Sequence, residues 1–329
     1  MNDQPEALRP LKTWSHLAKS RRRPSEYEIV STNLLWNMDE TTVPEAAKDL
    51  EMHEWHKKYR YGSPLKHSDW DAFRDPDSMV YRTYNVVQDG QETYVENLVD
   101  EYSGLEHDSG LSSDWLDTLE MFYTPGRYPL NICMMNAGYG AAFARTSTIV
   151  NVWEYQAADA LRHLSRLAYR TAELRKNHPN RGFGDKEREI WENAPAWQGM
   201  RELLEKSLVA YDVGEHFVAF NLVAKVAFDE AQFAEFAIAA RHAGDDLAAL
   251  ITDSHLRDVE RSRRWSSALV EFFVEDDPAN KKVINGWLDR WAPLAERAVT
   301  ELLSVLPGAD ADAANARARK FRQDLGLSK

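Results

Sequence analysis

The sequence predicts an all-α protein in which a bundle of long helices follows an extended N-terminal arm. Two segments, 152–176 and 247–274, repeat apolar residues at the spacings of three and four that are typical of amphipathic helices. The first of them contains neither glycine nor proline. No segment supports a sheet, so these two long helices define the predicted fold class.

The predicted arm comprises residues 1–95 and contains only short helices. Prolines interrupt it at intervals too short for a long helix; they are Pro24, Pro44, Pro64 and Pro76. The arm is also rich in tryptophan and tyrosine. Because a solvated segment of this composition would expose a large apolar surface, we expect the arm to pack against its own bundle or a partner.

The predicted bundle comprises residues 96–306, with a first helical stretch that begins at the end of the arm. Its helices are expected at 94–100, 112–123, 130–144, 152–176, 186–193, 197–211, 216–242, 247–274 and 281–306. The segment 130–144 is apolar and free of acids, which is typical of a helix buried on most sides. A break is expected near Pro293. The charged, alanine-rich residues 307–329 are predicted to form a weakly helical tail.

Two related pentapeptides lie on the two long helices. They read Asp-Ala-Leu-Arg-His at 159–163 and Asp-Val-Glu-Arg-Ser at 258–262. Both are similar to Asp-Glu-x-Arg-His, the pattern of carboxylate-bridged di-iron helices, in which Glu and His three residues apart project into a four-helix core. Here Ala160 and Val259 stand where Glu is expected. Ser262 stands where the second His is expected, so His163 alone survives.

A complete di-iron site also needs one carboxylate from each of two further helices. Neither 121–153 nor 216–228 contains Asp or Glu, and no histidine has Glu three residues before it. The pattern therefore indicates a ferritin-like bundle, related to oxygenases and to the ribonucleotide reductase radical subunit, that has lost its metal. Alternatively, the two Asp-x-x-Arg patterns arise by chance on solvated helix faces.

Other polar residues give weaker signals. Asp258 and Arg261 interrupt the apolar stripe of their helix and are expected to pair with each other or with the first long helix. His163 is expected to be a core or interface histidine with a hydrogen-bond partner, since a single His does not hold iron stably. His53 and His56 have a spacing that suits a metal, but an exposed helical turn is the favoured interpretation. No phosphate-binding loop, nucleophile elbow or Cys-His cluster is present.

Composition excludes several classes of function. The net charge of −13 argues against a nucleic-acid partner, and the basic triplet at 21–23 is interpreted as an interface or solvated segment. The lone cysteine, Cys133, excludes an intramolecular disulfide and is expected to be a buried thiol. Without a signal pattern or a run of about 18 apolar residues, the chain is expected to be cytoplasmic, with no membrane association.

Longer blocks of sequence carry a family resemblance. They are Leu-Lys-Thr-Trp-Ser-His-Leu-Ala at 11–18, Ser-Pro-Leu-Lys-His at 63–67, Phe-Arg-Asp-Pro-Asp at 73–77, Val-Tyr-Arg-Thr-Tyr-Asn at 80–85, Pro-Ala-Trp-Gln-Gly at 195–199 and Arg-Trp-Ser-Ser-Ala-Leu at 264–269. The chain resembles the hydroxylase beta subunit of bacterial multicomponent monooxygenases, in the toluene, isoprene and alkene branch. The blocks are ordered and reach from residue 11 to about residue 300, so the resemblance covers most of the chain.

The resemblance implies a catalytically silent subunit with neither catalytic nor metal-binding residues. Its partners would be a di-iron alpha subunit and a gamma subunit in an (αβγ)₂ assembly, on which an effector protein and a Rieske ferredoxin dock. Such a complex inserts one oxygen atom from O₂ into an alkene or aromatic hydrocarbon. Electrons come from NADH through the FAD and iron-sulfur clusters of a reductase and the ferredoxin. Residues 11 to about 90 are expected to form much of the contact with alpha.

Two rival functions differ in class. One is a free-standing helical scaffold or regulator derived from the same fold. The other is an active di-iron oxidase or ribonucleotide reductase radical subunit, which the missing carboxylates disfavour. The sequence does not separate an aromatic from an alkene substrate, since the substrate pocket would belong to alpha.

Overall fold

The computed structural model describes residues 23–32 and 51–328. Its regular structure in these ranges is helical and contains no strand, which confirms the predicted all-α class. The helices are α1 (Glu26–Ser31), α2 (Glu51–His56), α3 (Tyr81–Gly104), α4 (Ser113–Thr118), α5 (Arg127–Phe143), α6 (Ser147–Asn177), α7 (Glu187–Asn193), α8 (Pro195–Ser207), α9 (Val213–Phe217), α10 (Lys225–Asp229), α11 (Phe236–His242), α12 (Asp246–Asp276), α13 (Ala279–Leu303) and α14 (Ala311–Asp324). Among them, none is long and apolar enough to span a bilayer.

The two predicted long helices are α6 and α12, and each has 31 residues. The Asp245 carboxylate caps the start of α12, where it accepts a hydrogen bond from the backbone N–H of Ala248 at 3.0 Å. Helix α6 packs closely on α5 because Gly140 faces the Trp153 ring. A Cβ atom at Gly140 would lie 2.5 Å from that ring, so only glycine permits this approach.

The chain from Val213 to His242 is a continuous helical run that changes type. Two π-helical segments, Val218–Ala224 and Glu230–Glu235, alternate with α9, α10 and α11. The predicted helix over 216–242 is therefore present, but its hydrogen bonding alternates. Because π-type bonds span five residues, each π segment changes which later side chains face the core.

The position of α3 corrects the prediction that only short helices precede residue 95. This helix has 24 residues and begins at Tyr81. Its buried residues recur at helical spacings and are Tyr84, Gln88, Gln91, Val95 and Val99. Two of them are glutamines, so apolar periodicity alone gives a weak signal for this helix.

The described part of the arm packs on its own bundle. Leu65 and Phe73 are each 1% exposed and belong to the main hydrophobic core. Asn280 of α13 exchanges two hydrogen bonds with the backbone of Lys66, at 2.7 and 3.0 Å. Residues 51–80 thus cover their aromatic side chains against the bundle, whereas residues 1–22 and 33–50 lie outside the described ranges.

The C-terminal segment also belongs to the same core. Arg317 of α14 donates hydrogen bonds to Glu230 and Glu235 at 2.6 Å each, and Leu327 joins the main hydrophobic cluster. The predicted boundaries at residues 95 and 306 therefore do not coincide with a break in the core. The division into arm, bundle and tail remains a prediction about contacts with partners.

Helix α13 corrects a second expectation. It runs from Ala279 to Leu303 with Pro293 inside it, so the helix does not break near that proline. Proline removes one backbone hydrogen bond and crowds the preceding turn. Trp291, Ala292 and Ala295 are buried beside it, and packing on the bundle holds the helix together there.

Candidate functional site

The two pentapeptides face each other across the interface of α6 and α12. Nε2 of His163 lies 3.0 Å from Oδ2 of Asp258, and Arg162 donates to the same oxygen at 3.0 Å. In return, Arg261 pairs with Asp159 of α6 and lies 3.1 Å from Asp258 on its own helix. The expected pairing of Asp258 and Arg261 with each other and with the first long helix is confirmed.

Helix α3 completes this charge network with three polar side chains. The Tyr84 hydroxyl donates to Asp159 at 2.9 Å. Gln88 donates to Asp159 at 3.2 Å and to Asp258 at 2.9 Å, and Gln91 donates to Asp258 at 3.3 Å. Sequence reasoning missed these residues because it assigned them to the arm. The spacing of Tyr84, Gln88 and Gln91 along one helix face is the signal that identifies them.

The two facing carboxylates sit in different electrostatic surroundings. Burial would raise the pKa of Asp258, but the His163 hydrogen bond and the nearby arginines outweigh burial and hold that pKa below its ordinary value. Burial and repulsion from Asp258 raise the pKa of Asp159, against the attraction of Arg261. Asp258 is therefore ionised near neutral pH and can only accept a hydrogen bond, so Nε2 of His163 carries the proton.

A small cavity lies beside this network, where four parts of the bundle converge. Its volume is about 20 Å³, enough for roughly one water molecule. It is lined by Leu130 and Cys133 of α5, by Gln156, Asp159, Ala160 and His163 of α6, by Phe220, Lys225, Phe228, Asp229 and Phe233 of the run from α9 to α11, and by Asp258 of α12. This convergence matches the four-helix arrangement in which di-iron proteins hold metal.

Four positions of the two pentapeptides correspond to metal ligands in the complete Asp-Glu-x-Arg-His pattern. They form two pairs, one on each helix. Ala160 and His163 line the cavity, whereas Val259 is 2% exposed in the apolar core. Ser262 donates a hydrogen bond to Gln156 at 2.7 Å. The Gln156 amide then bonds Asn221 at 2.9 Å, so neutral polar groups occupy the side of the bundle where the second motif would place its histidine.

The cavity contains one acidic residue that sequence reasoning missed. Asp229 follows the acid-free stretch 216–228 by one residue and lies in the cavity wall. Lys225, one helical turn earlier, donates to both Asp229 oxygens, at 2.9 and 2.7 Å. The signal in the sequence is a lysine and an aspartate four residues apart within an otherwise apolar segment.

The side chains at the cavity do not suit a di-iron centre. Ala160 and Val259 offer no oxygen donors, and the Asp258 oxygens are already hydrogen-bonded to α3 and α6. Across residues 23–32 and 51–328, no group of three or more His, Cys, Asp or Glu side chains is arranged to hold a metal ion. The three aspartates that line the cavity are each paired with an arginine or lysine side chain, so they do not form the free carboxylate set that iron in such centres requires.

The remaining candidate residues are placed as follows. His53 and His56 lie on helix α2, which has no fully buried residue, and both histidines are half-buried. The centre of the His56 ring lies 5.2 Å from that of the Phe143 ring. Cys133 is the expected buried thiol, and burial raises its pKa to about 12. His255 was missed and stacks on His163 with ring centroids 4.1 Å apart.

Comparisons with known proteins identify relatives of this chain. Residues 55–277 match the family model described as Methane/Phenol/Alkene Hydroxylase. The chain is 47% identical over 302 residues to the beta subunit of the hydroxylase component of the toluene-4-monooxygenase system from Ectopseudomonas mendocina, covering 92% of each chain. It is 26% identical to the DmpL oxygenase component of phenol 2-monooxygenase from Pseudomonas sp. strain CF600, covering 78% of this chain and 76% of that protein.

Two solved structures share the fold. A toluene 4-monooxygenase structure with toluene bound in its resting active site matches with a TM-score of 0.86 and 46% identity, covering 92% of this chain and 99% of the matched chain. A xenon-pressurised phenol hydroxylase from Pseudomonas sp. OX1 matches with a TM-score of 0.83 at 19% identity, covering 100% and 98%. The second likeness concerns the fold alone.

Proposed function

The chain belongs to the methane/phenol/alkene hydroxylase family, and we propose that it is the beta subunit of the hydroxylase of a multicomponent monooxygenase. The observation that carries this proposal is the state of the cavity between α5, α6 and α12. The positions for metal-binding residues are occupied by Ala160, Val259 and Ser262, while the Asp and Arg residues of both motifs remain as a buried charge network. The chain keeps the architecture of an oxygenase and contributes no metal-binding or catalytic residue.

The charge network gives the subunit a structural role. It links α3, α6 and α12 through hydrogen bonds that have fixed directions, so these three helices hold one relative orientation. A subunit with a rigid bundle can present a constant surface to a partner that carries out the chemistry. The partner we propose is a di-iron alpha subunit, joined by a gamma subunit in an (αβγ)₂ assembly.

The outer faces of two helices support a partner surface. Large apolar side chains are exposed on α3 and α6: Tyr81 is 75% exposed, Val86 66% and Tyr169 54%. Large apolar side chains exposed on the outer faces of helices are typical of protein interfaces. We propose that this surface and the arm, including its undescribed segments 1–22 and 33–50, contact the alpha subunit.

The proposed reaction belongs to the complex and takes place in alpha. One oxygen atom from O₂ would be inserted into an aromatic or alkene hydrocarbon in the cytoplasm. Electrons from NADH would arrive through a reductase and a Rieske ferredoxin, with an effector protein docked on the hydroxylase. The relative at 47% identity belongs to a toluene-4-monooxygenase system, so toluene is the first substrate to test.

The decisive experiment is co-expression of this chain with an alpha subunit and a gamma subunit of a hydroxylase of this family. We expect an assembly with equal numbers of the three subunits and about two irons for each alpha chain. With reductase, ferredoxin and effector added, the complex should oxidise toluene or isoprene with NADH consumption. If the chain purifies alone and alpha is fully active without it, the free-standing scaffold becomes the better assignment.

A further inference from the structure

The cavity between α5, α6 and α12 contains a cation supplied by the protein itself. Lys225 lies in its wall together with His163 and Asp229. The lysine side chain is 13% exposed and the Asp229 side chain 3% exposed. Lysine and aspartate are rarely buried. When they are buried, each needs a partner of opposite charge, and here the two residues are partners of each other.

Each carboxylate at the cavity has its own cationic partner. Arg261 pairs with Asp159, Arg162 pairs with Asp258 and Lys225 pairs with Asp229. Asp229 receives both of its side-chain hydrogen bonds from Lys225. Burial raises the pKa of Asp229 although Lys225 opposes that shift, so the charged carboxylate depends on the ammonium group beside it.

The backbone brings this pair to the cavity in an uncommon way. Lys225 and Asp229 are the first and last residues of α10, which is flanked by the π-helical segments Val218–Ala224 and Glu230–Glu235. Such segments inside α-helical runs are rare and concentrate at functional sites. A conventional helix with the same sequence would rotate the pair relative to the neighbouring core residues.

We propose that the Lys225–Asp229 pair is a built-in replacement for a bound cation: the ammonium group neutralises the carboxylate in the cavity and keeps divalent metal ions out. This proposal concerns the chain's own residues and goes beyond its role as a subunit. The remaining volume of about 20 Å³ fits roughly one water molecule. A metal ion with its ligand shell can enter only if the lysine side chain leaves.

Thermal unfolding of the full-length chain tests the neutralising role. Lys225→Met leaves a buried carboxylate without its cation, and we expect the melting temperature to fall by about 5 °C or more. Lys225→Met combined with Asp229→Leu should recover most of this loss, because an apolar pair can replace a buried ion pair at little cost. The control is Lys206→Met, which removes an exposed ammonium from a pair with Glu202 at the same four-residue spacing and should shift the melting temperature by about 1 °C or less.

Metal binding tests the exclusion of cations. We expect millimolar Co²⁺ to raise the melting temperature of Lys225→Ala, since a ligand that binds only the folded state stabilises it. The native chain and the double variant Lys225→Ala with Asp229→Asn should show no rise. If Lys225→Ala does not fold, Lys225→Gln replaces it in the Co²⁺ experiment. The glutamine keeps a hydrogen-bond donor for Asp229 and removes the charge.

Three outcomes would overturn the proposal. The first is equal melting temperatures for Lys225→Met and Lys206→Met. The second is a Co²⁺-induced rise of equal size in the native chain. The third is the absence of any rise in the folded lysine variant. Circular dichroism before heating separates these outcomes from a failure to fold.

Discussion

His163 donates a hydrogen bond from Nε2 to Oδ2 of Asp258, across 3.0 Å between α6 and α12. This bond joins the surviving histidine of the first pentapeptide to the aspartate of the second. The same oxygen accepts from Arg162 at 3.0 Å, so Asp258 is the acceptor on which both donors of α6 converge. Removal of the Asp258 carboxylate should therefore destabilise the chain more than removal of an exposed carboxylate on the same helix.

Asp258→Ala should destabilise the chain by about 3–5 kcal/mol at neutral pH, because it leaves buried cationic groups without their partner. The measurement is chemical unfolding followed by circular dichroism. Asp253→Ala provides the control, since Asp253 lies on the same helix, is 39% exposed and pairs with Arg241. An exposed pair of this kind contributes about 1 kcal/mol or less, and equal losses in the two variants would contradict a central role for Asp258.

The contribution of Asp258 should depend on pH in one direction. Its pKa in the folded chain lies below the ordinary value of 3.8, so the folded state favours the ionised form. The resulting stability is fully present above the unfolded pKa and is lost as the pH falls below it. The difference in unfolding free energy between the native chain and Asp258→Ala should therefore shrink below about pH 4. A difference that stays constant down to pH 3 would exclude this explanation.

Ala160→Glu restores one missing acidic residue and should still create no metal centre. Ala160 is 7% exposed and borders a cavity of about 20 Å³, so the new carboxyl group has little room and no set of ligands to join. We expect a loss of a few kcal/mol, smaller if the group remains protonated. Leu161→Glu is the matched control because its side chain is 49% exposed. An unchanged melting temperature for Ala160→Glu would argue against a core position.

The purified chain, separated from alpha, should contain far less than one iron per polypeptide. The reason is the donor set: Ala160 and Val259 carry no oxygen, and the Asp258 oxygens accept hydrogen bonds from Gln88 and His163. The iron content per polypeptide is measured by elemental analysis after purification in the presence of ferrous iron. Roughly two irons in each chain would instead identify an active di-iron protein.

Much of the bundle could be predicted from the sequence because α6 and α12 have long apolar stripes and few breaking residues. Their pentapeptides also predicted the pairing across the interface, since buried Asp and Arg require partners. Helix α3 could not be found in the same way because Gln88 and Gln91 occupy its buried face. Glutamines are typical of solvated surfaces, and here they are buried only because the carboxylates of α6 and α12 accept their hydrogen bonds.

Two features of the segment 216–242 could not be predicted from the sequence: the alternation of α and π helix, and the burial of the Lys225–Asp229 pair. Periodicity predicts a helix over 216–242, but the alternation of α and π segments depends on tertiary packing that local sequence does not encode. Lys225 and Asp229 read as a pair of solvated residues, and only the surrounding helices make them part of the interior. The continuous helix through Pro293 has the same origin, since packing outweighs the local tendency of proline to break a helix.

A deletion of residues 1–90 should destabilise the chain as well as weaken its binding to alpha. This deletion removes Leu65 and Phe73 from the main core and Tyr84 and Gln88 from the charge network. The helical circular dichroism should fall and the unfolding midpoint should decrease. If that variant fails to bind alpha, the failure could come from unfolding, so it would not identify the binding surface. A shorter deletion is therefore required.

A deletion of residues 1–22 isolates the contribution of the first part of the arm to the complex. The contacts described above join residues 23–32 and 51–328 to one another, so we expect the shortened chain to keep the helical content and unfolding midpoint of these ranges. Because this segment contains Trp14 and three leucines, Leu8, Leu11 and Leu17, apolar side chains that suit an obligate interface, co-purification with alpha should decline and hydrocarbon oxidation should fall with it. The control is Val86→Ser, which reduces the exposed apolar surface of α3 while leaving residues 1–22 intact. If the shortened chain assembles at native stoichiometry and supports full turnover, while Val86→Ser weakens assembly, the contact with alpha includes α3 and does not require residues 1–22.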